Sequence, residues 1–358
     1  MADYITLKAD ALTAAIRAIV KAGGSNAREA ELVSTNLVEA NLKGHDSHGV
    51  GMIPRYIDSI KEGGLAVNAH VSITLDANAL LTLDGNKAYG QVAGYEAMEL
   101  AAERAKRHGV CVLGMSNAHH IGRIGHWAEQ AIGHGLVSIH FVNVISRPVV
   151  APWGGSDARH GTNPFCVGIP RAGKDPIVLD FATSRIAQGK TRVAYNKGEQ
   201  LPPGILIDTQ GNPTIDPRFS VMEPLGAILP FGEHKGSGLA LVCELLGGAL
   251  SGGITAHERS DGKRRVLNGM FSVLVDPGKM GTGENLAREM EEYVAWHTAS
   301  PANAQTEKLL IAGEPERISK ARRLIDGVPV DATTWKEIIG AGGKVGLAQS
   351  AIEKIAGL

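Results

Sequence analysis

The hydrophobic pattern of the chain changes twice, and these changes constrain its fold more than any single motif. Over about the first 65 residues, and again after Pro277, apolar residues recur at the spacing of amphipathic helices. Between these ends, short apolar runs typical of strands alternate with helical segments. Because the apolar faces of both ends need a partner, we expect the ends to pack together. The predicted domains are a discontinuous helical domain, residues 1–75 and 285–358, and an α/β domain, residues 76–284.

Individual segments can be placed from their periodicity and from the glycines and prolines between them. Helices are predicted at residues 7–22, 25–44, 53–63, 91–108, 121–133, 236–250 and 285–299, followed by a helical region with turns at 305–358 that ends in a glycine-rich loop. Strands are predicted at residues 71–75, 80–83, 110–113, 136–142, 165–169, 177–182, 204–208 and 271–275. The helix at 236–250 is very apolar, so we expect it to lie at the centre of the fold.

Charge and cysteine content exclude several classes of protein. The formal net charge is −1 and no basic face is evident, so neither a nucleic-acid groove nor binding to an anionic membrane is indicated. Cys111, Cys166 and Cys243 lie far apart in apolar runs, which is typical of free thiols in a reducing compartment. The N-terminus lacks a signal sequence, and no apolar run is long enough to span a membrane. We therefore expect a cytoplasmic protein with no nucleic-acid or membrane partner.

The nucleotide-binding motifs with a glycine signature are missing. No Gly-x-Gly-x-x-Gly occurs, and the nearest stretch, residues 340–346, has the wrong spacing and follows a helix. Residues 189–191, Gly-Lys-Thr, resemble the end of a P-loop, but Ser184 stands where the first glycine belongs. Neither a Rossmann fold nor a P-loop is predicted, so a bound nucleotide would have to be held in another way.

Metal-dependent and serine-esterase chemistry are not indicated either. Histidines cluster at His45 and His48 and again at His119, His120 and His126, but acidic neighbours are few and no His-Glu-x-x-His occurs. A Gly-x-Ser-x-Gly elbow is also missing. We predict no metal site.

The densest group of reactive side chains lies in residues 41–56, on a turn between two predicted helices. It contains two imidazoles, a carboxylate, a hydroxyl, a guanidinium and a phenol, carried by His45, His48, Asp46, Ser47, Arg55 and Tyr56. Histidine has an unperturbed pKa close to neutral, so it is the usual proton donor or acceptor at pH 7. Polar turns are often only solvated loops, but this one combines groups that acid–base catalysis uses.

A second polar segment, residues 116–127, has the sequence Ser-Asn-Ala-His-His-Ile-Gly-Arg-Ile-Gly-His-Trp and follows a predicted strand. Together with Gly-His-Asp-Ser-His-Gly at residues 44–49, it resembles the malate/L-lactate dehydrogenase family of the second, non-Rossmann type. The resemblance continues in chain order through residues 161–164, 178–184, 234–236 and 313–316. The segments around His48 and His120 are most similar to the bacterial hydroxycarboxylate dehydrogenase branch.

The resemblance implies an oxidoreductase that interconverts a 2-oxo acid and a 2-hydroxy acid, with NAD, or alternatively NADP, as cofactor. It also implies a non-Rossmann α/β cofactor domain with a mixed, largely antiparallel sheet, and a discontinuous helical domain built from the N- and C-terminal segments. Two chains are expected to form an intertwined homodimer. The missing glycine fingerprint agrees with such a fold.

The same resemblance implies the catalytic residues. His48 matches the acid–base position of the family, with Ser47 beside it as an orienting or relay group, and His120 matches a histidine that accepts the proton in some relatives. The alkoxide left by hydride transfer needs a proton, which either histidine could supply. The sequence does not decide between them, and we favour His48.

Thr162 is expected to contact the substrate, and a positively charged side chain is expected to bind the substrate carboxylate. Several relatives carry an arginine for this purpose at the position that is Met52 in this chain. Either Arg55 or Arg123 is expected to bind the substrate carboxylate in its place, or the pocket is expected to be more apolar. Met52 therefore predicts a larger or more hydrophobic 2-oxo acid.

The implied cofactor site combines two helix starts, a strand end and a turn. Its residues are His48, Gly122, Arg123, Ile124, Val178, Leu179, Asp180, Phe181, Ala182, His234, Lys235, Asn268, Gly313, Glu314, Pro315 and Glu316. Free backbone N–H groups at a helix start suit phosphate.

Two other functions stay open at this point. The same acid could protonate the nitrogen of a cyclic imine 2-carboxylate instead of an oxygen. The chain could also be a catalytically inactive relative that binds a metabolite.

Overall fold

The computed structural model describes residues 4–257 and 265–358, where twelve α-helices and twelve strands are present. Residues 1–3 and 258–264, which belong to the two predicted domains, lie outside the described residues. The helices are α1 (Ala9–Ala22), α2 (Ala27–Leu42), α3 (Ile53–Lys61), α4 (Gly90–His108), α5 (Gly125–Gly133), α6 (Gln188–Lys197), α7 (Arg218–Val221), α8 (His234–Glu244), α9 (Gly283–Thr298), α10 (Glu314–Asp326), α11 (Ala332–Lys344) and α12 (Gln349–Ala356). The strands are β1 (Tyr4–Leu7), β2 (Ser72–Ala77), β3 (Leu80–Asp84), β4 (Val110–His119), β5 (Val137–Ile145), β6 (Phe165–Ile169), β7 (Ile177–Phe181), β8 (Leu206–Ile207), β9 (Pro213–Thr214), β10 (Ala227–Ile228), β11 (Leu267–Val275) and β12 (Val328–Asp331).

Seven strands form the main sheet in the order β2-β3-β4-β11-β5-β6-β7. β3 and β4 run parallel, and every other neighbouring pair in the described part of this sheet is antiparallel. The nearly continuous apolar run of β11 suits a strand that is covered on both faces, and β11 indeed lies between β4 and β5. The predicted mixed, largely antiparallel sheet is therefore confirmed.

The two ends of the chain share one hydrophobic core. In α1 the residues at helical spacing are buried, including Leu12, Ile16 and Ile19, and they belong to the same cluster as Ile338 of α11 and Ile352 of α12. β1 and β12 pair antiparallel along their full lengths and close this helical unit. The predicted discontinuous helical domain is confirmed, whereas its boundaries at residues 75 and 285 stay a prediction.

A second core lies between the main sheet and the helices α4 and α5. Trp127 of α5 is completely buried in it, and its indole N–H donates to the Ile121 carbonyl at 3.0 Å. This hydrogen bond ties the start of α5 to the end of β4. The segment between them, residues 120–124, is therefore held firmly beside the sheet.

The expectation that residues 236–250 lie at the centre of the fold is wrong. α8 continues beyond Glu244 as a π-helical segment, Leu245–Leu250, and it is buried on one side only. Leu241, Leu245 and Leu250 are 50%, 48% and 62% exposed. A helix that is apolar all round is buried only if each of its faces finds a partner. Within the described residues, this helix has a partner on one face.

Three smaller differences concern element boundaries. Residues 4–7 form β1, which pairs with β12 from the far end of the chain, so the first helix begins at Ala9 rather than at residue 7. α5 begins at Gly125, four residues later than predicted, since residues 121–124 are drawn into the extended connection from β4. Residues 340–343 belong to α11 rather than to a loop, and Gly342 there leaves room for the side chain of Ile352.

In residues 4–257 and 265–358, none of the helices has the length and apolar character that a membrane crossing requires.

Candidate active site

The polar turn after α2 is anchored by side chains from both ends of the chain. It contains two short 3-10 turns between Asp46 and Met52. The Asn41 side chain accepts a hydrogen bond from the Val50 N–H at 2.8 Å and donates one to Asp46 at 2.7 Å. Arg323 of α10 pairs with the same carboxylate at 2.6 Å. Asp46 therefore holds the turn in place.

His48 and His120 are in direct contact. Nδ1 of His48 lies 3.3 Å from Nε2 of His120. The ring centroids are 5.4 Å apart and the ring planes differ by 5°, so the two rings are nearly parallel. The structure thus brings together the two histidines that the sequence places in separate segments, 72 residues apart.

Both ring nitrogens of His120 are engaged. The Tyr56 hydroxyl lies 2.7 Å from Nδ1 of His120, and the amide nitrogen of Gln91 donates to that hydroxyl at 2.9 Å. His120 is 9% exposed, and Tyr56 and Gln91 are almost completely buried. His48 is half-buried, and its Nε2 has no hydrogen-bond partner among the described residues. Of the pair, His48 is the one that can offer a ring nitrogen to a small molecule.

The surroundings keep both histidines neutral. Burial lowers the pKa of His48 to about 4, and the positive charges of His45 and Arg123 act in the same direction. Burial also lowers the pKa of His120 well below its ordinary value, and Arg55 is one of the neighbouring positive charges that add to this. At neutral pH each imidazole therefore carries one N–H. In the part of the chain that the structure describes, no group of three or more His, Cys, Asp or Glu side chains could hold a metal ion.

Arg55 provides a positive charge near the pair, one residue before Tyr56. No hydrogen bond or ion pair engages its guanidinium among the described residues. Partial burial lowers the pKa of Arg55, and the positive charges of Arg192 and Arg147 act in the same direction, although an arginine stays charged at neutral pH. Arg55 is therefore a cation available to an anionic ligand.

Ser47 and Met52 lie on opposite sides of His48 in the sequence and in different settings. Ser47 is exposed and lies against the start of α6, where a Cβ atom on Gly189 would come within 2.9 Å of the Ser47 Cβ. Met52 is half-buried and packs against the helical core. The start of α6 thus lies over the turn, and glycine at position 189 allows this close approach.

The connection from β4 to α5 carries unsatisfied backbone donors. Within the described residues, the N–H groups of residues 122–124 find no acceptor, although all three residues are buried. The Arg123 guanidinium is 3% exposed and pairs with Glu129 at 2.6 Å and Asp180 at 3.8 Å. Asp180 also accepts the Gly125 N–H at 2.7 Å. The side-chain charge at this position is therefore neutralised, whereas the backbone donors are not.

β7 is an edge strand of the main sheet, and the start of α10 with its N-cap, residues 313–316, lies against it. The Val178 N–H donates to the Ala312 carbonyl at 3.1 Å. Gly313 has a φ of +90°, and a Cβ atom there would lie 3.2 Å from the Val178 nitrogen, so glycine suits this contact. Leu179 of β7 is 41% exposed. A hydrogen bond of 3.0 Å joins the His45 ring to Glu316 and links the start of α10 to the polar turn.

Thr162, His234 and Lys235 lie around the end of β7. The Thr162 carbonyl accepts hydrogen bonds from the N–H and hydroxyl groups of Thr183. His234 and Lys235 are exposed on the first turn of α8. A bridge between residues 184 and 230 places the segment just before that helix beside the residues that follow β7.

Asn268 occupies a different setting from the other predicted cofactor residues. It is 3% exposed on β11, and both ends of its amide are used. Its oxygen accepts the Ile121 N–H at 3.0 Å, and its nitrogen donates to the Asn143 carbonyl at 2.8 Å. Asn268 therefore supports the backbone just before residues 122–124.

Neither Gln91 nor Arg323 is among the site residues predicted from sequence. Gln91 stands in the apolar start of α4 beside Val92 and Ala93, and a polar side chain at such a buried position needs a hydrogen-bond partner. That signal is present in the sequence, but it does not identify Tyr56 as the partner. Arg323 lies 277 residues from Asp46, and no local pattern connects them.

The chain is similar to known proteins over nearly its whole length. The family model described as malate/L-lactate dehydrogenase matches residues 7–339. Hydroxycarboxylate dehydrogenase B of Escherichia coli K12 is 46% identical over 347 residues, which cover 96% of each chain. Sulfolactate dehydrogenase of Methanocaldococcus jannaschii superposes with a TM-score of 0.86 at 32% identity, over 97% of this chain and 99% of that one.

A third relative is named as a reductase rather than a dehydrogenase. Delta1-piperideine-2-carboxylate reductase from Pseudomonas syringae pvar. tomato superposes with a TM-score of 0.83 at 30% identity, over 94% of this chain and 99% of that one. The family match, the extent of these similarities and the shared fold agree. The chain therefore belongs to the malate/L-lactate dehydrogenase family of oxidoreductases.

Proposed function

We propose that this protein reduces 2-oxo acids to 2-hydroxy acids, and catalyses the reverse oxidation, with a nicotinamide dinucleotide as cofactor. The observation that carries this proposal is the neutral His48, which has one free ring nitrogen in the neighbourhood of the unpaired Arg55. A carbonyl that receives a hydride needs a proton donor, and the adjacent carboxylate needs a cation. The dehydrogenase names of the hydroxycarboxylate and sulfolactate relatives point to the same chemistry.

His48 is proposed as the group that gives a proton to the oxo-acid oxygen and takes it back in the reverse direction. Support comes from the hydrogen bonds of His120, whose two ring nitrogens are both occupied. His120 then acts on the substrate through His48. Ser47, exposed beside it, is proposed as an orienting group, and Thr162 as a further substrate contact.

The residues around the pair suit a dinucleotide. When bound, the nicotinamide cofactor supplies the hydride. The buried N–H groups of residues 122–124 suit a phosphate, because buried donors without an acceptor are rare in proteins. The exposed Leu179 on β7, the start of α10 at residues 313–316 and the start of α8 with His234 are proposed to hold the remainder. NAD is the proposed cofactor, with NADP as the alternative.

A larger or more hydrophobic oxo acid is proposed as the substrate. Met52 brings an apolar side chain to a position where several relatives have an arginine for the substrate carboxylate, so the pocket is proposed to be more apolar. Arg55 remains for the carboxylate that every 2-oxo acid carries. An aromatic 2-oxo acid such as phenylpyruvate is therefore expected to be reduced with a higher kcat/KM than a dicarboxylic one such as oxaloacetate.

A homodimer and a cytoplasmic location are also proposed. The apolar face formed by Leu241, Leu245 and Leu250 is exposed in the single chain, and such faces mark association surfaces. A second copy of the chain is the proposed occupant. The three cysteines are free and buried, which suits a reducing compartment.

The proposal can be tested by following NADH and NADPH consumption with a panel of aromatic, aliphatic and dicarboxylic 2-oxo acids. Delta1-piperideine-2-carboxylate joins the panel, because one structural relative reduces it. Aromatic 2-oxo acids are expected to be the best substrates. Loss of the general acid in His48→Ala is expected to lower kcat by about 10²-fold or more. Cofactor binding without turnover of any compound would indicate an inactive relative, and full kcat in both His48→Ala and His120→Ala would refute the site.

A further inference from the structure

Four side chains form a continuous line of hydrogen bonds from the buried start of α4 to the open side of the site. The Gln91 amide nitrogen lies 2.9 Å from the Tyr56 hydroxyl, which lies 2.7 Å from Nδ1 of His120. Nε2 of His120 lies 3.3 Å from Nδ1 of His48. Gln91, Tyr56 and His120 are buried, and His48 alone reaches the surface of the site.

The direction of every bond in this line follows from its first donor. An amide nitrogen only donates, so the Tyr56 oxygen is the acceptor from Gln91. The hydroxyl has one proton, and the acceptor within its reach among the described residues is Nδ1 of His120. Because a neutral imidazole has one N–H, the proton of His120 lies on Nε2 and points at Nδ1 of His48. The proton of His48 is then left on Nε2, the nitrogen without a partner.

We propose that Gln91 and Tyr56 are positioning residues that set the tautomers of His120 and His48, so that neutral His48 presents an N–H at Nε2 to the substrate oxygen. The consequence for catalysis rests on the proposed function, whereas the tautomers themselves do not. With the opposite direction of bonding, Nε2 of His48 would carry a lone pair and would repel the carbonyl oxygen that it must protonate. Gln91 thus selects the tautomer in which His48 can donate a proton, and it does so through the two side chains between them, Tyr56 and His120.

The burial of the line supports a fixed direction. Since water does not reach Tyr56 or Gln91, the hydroxyl proton has no competing acceptor among the described neighbours. Both histidines have depressed pKa values, so each has a single N–H at neutral pH. In water, by contrast, a histidine exchanges between its two tautomers.

The first test is a long-range ¹H–¹⁵N correlation spectrum of the full-length protein labelled with ¹⁵N-histidine, recorded at neutral pH without substrate. The His48→Ala and His120→Ala variants identify the two sets of signals. Both residues are expected to show the Nε2–H tautomer. An Nδ1–H tautomer at either residue overturns the proposal, whatever the protein reduces. If the tautomers agree and no oxo acid is reduced, the proposed function fails and this inference stands.

The second test reverses the direction of the hydrogen bonds between residue 91 and His48. In Gln91→Glu the ionised carboxylate can only accept, so Tyr56 gives it the hydroxyl proton, and both histidines are expected to change to the Nδ1–H tautomer. Recording spectra up to about pH 9 keeps a buried glutamate ionised. Tyr56→Phe removes the donor to His120, and the fixed tautomer is expected to be replaced by a mixture. Unchanged tautomers in both variants overturn the proposal.

Asn36→Asp provides the matched control. Asn36 is buried next to Gly122, as Gln91 is, but among the described residues it has no hydrogen bond to Tyr56. The new carboxylate is expected to leave both tautomers unchanged. If it reverses them, charge rather than the hydrogen bond sets the tautomers, and the proposal is wrong.

Activity gives a separate readout. Gln91→Glu and Tyr56→Phe are expected to lower kcat for oxo-acid reduction by about 10- to 10²-fold, since they remove part of a general-acid contribution. For Tyr56→Phe, which adds no charge beside Gly122, the Kd for the reduced cofactor, measured by its fluorescence, is expected to stay unchanged. A merely structural role would weaken cofactor binding and kcat together, and that result contradicts a positioning role.

Discussion

Arg55 stands apart from the other arginines of the site because no carboxylate neutralises it within the described residues. Arg123 pairs with Glu129 and Asp180, and Arg323 pairs with Asp46. A charge without a protein partner near the catalytic pair is what an oxo-acid carboxylate requires, and a guanidinium can bind it with two parallel hydrogen bonds. Ion pairing thus separates Arg55, the arginine proposed to bind the substrate, from Arg123 and Arg323, which are paired within the protein.

Replacing Arg55 with alanine is expected to raise KM for the 2-oxo acid by about 10- to 10²-fold, since a charged hydrogen bond contributes about 1.5–3 kcal/mol. The Kd of the reduced cofactor should not change. Steady-state kinetics and a cofactor fluorescence titration measure the two quantities. Arg192→Ala is the matched control, because Arg192 lies close enough to affect the pKa of Arg55 but pairs with Glu337. Equal KM values in the two variants would exclude Arg55 as the carboxylate site.

The candidate site could be predicted from sequence where its residues are close together in the chain. His48, Ser47 and Arg55 share one turn, and His120 stands in a recognisable segment. Gln91 could not be assigned, because its partner Tyr56 lies 35 residues away and only the tertiary fold brings them together. The tautomers of the histidines depend on that contact.

Elements were easiest to predict where the local pattern decides the outcome. β6 has the predicted bounds, residues 165–169, and α4 and α9 differ from prediction by one or two residues at their ends. β1 was missed because a strand of four residues is stabilised by β12, whose sequence lies at the other end of the chain. α8 was misplaced because composition reports how apolar a helix is, but not which of its faces meets the rest of the protein.

The interior of the main sheet contains a histidine whose protonation should affect the free energy of unfolding. His140 of β5 is completely buried, and its ring nitrogens lie 2.7 Å from the Ser272 hydroxyl of β11 and 2.9 Å from the Ser138 hydroxyl. Burial lowers the pKa of His140 to about 3. The folded sheet therefore contains a neutral imidazole at every pH above that value.

The sign of the pH dependence follows from proton counting. An unfolded histidine binds a proton below about pH 6.5, whereas His140 in the sheet does not, so the unfolded state binds more protons between about pH 3 and pH 6.5. The stabilisation is fully present above about pH 6.5 and is lost as the pH falls, by about 1.4 kcal/mol per pH unit for one such residue. Other histidines with lowered pKa values, such as His119 and His126, add to the slope.

His140→Asn is expected to remove the contribution of one proton, about 1.4 kcal/mol per pH unit, from that slope. Asparagine does not titrate, and it can keep hydrogen bonds to the two serines. Urea unfolding between about pH 5 and pH 7 measures the free energy of unfolding. His108→Asn, on the exposed end of α4, is the control and should leave the slope unchanged. A slope that is the same in His140→Asn and in the unaltered protein would show that His140 is not buried as a neutral group.

At the scale of the whole molecule, strand order is the feature that sequence patterns could not supply. β11 follows β4 by about 150 residues and is inserted between β4 and β5. Its position also sets the site, since Asn268 on β11 supports the backbone that leads from His120 to α5. The helical ends were paired correctly because complementary apolar faces leave few alternatives, whereas the neighbours of a central strand depend on the packing of the entire sheet.

Association of two chains is the remaining property of the whole molecule that can be tested directly. The face formed by Leu241, Leu245 and Leu250 begins about two turns beyond His234 and Lys235, so an interface there would also fix the start of α8 beside the site. Burying one leucine side chain contributes about 1.5–3 kcal/mol. Exchanging two of them for aspartate would remove that contribution and place charges in the interface.

The double variant Leu245→Asp/Leu250→Asp is therefore expected to raise the dimer dissociation constant by at least about 10²-fold, so that a monomer is present at micromolar concentration. Sedimentation velocity over a range of concentrations measures the change. Ile325→Asp is the matched control, because Ile325 is 76% exposed on α10 and lies outside this face. We expect the control to sediment like the unaltered protein, as a dimer. A double variant that also stays dimeric would place the interface elsewhere, and an unaltered protein that is monomeric would refute the dimer.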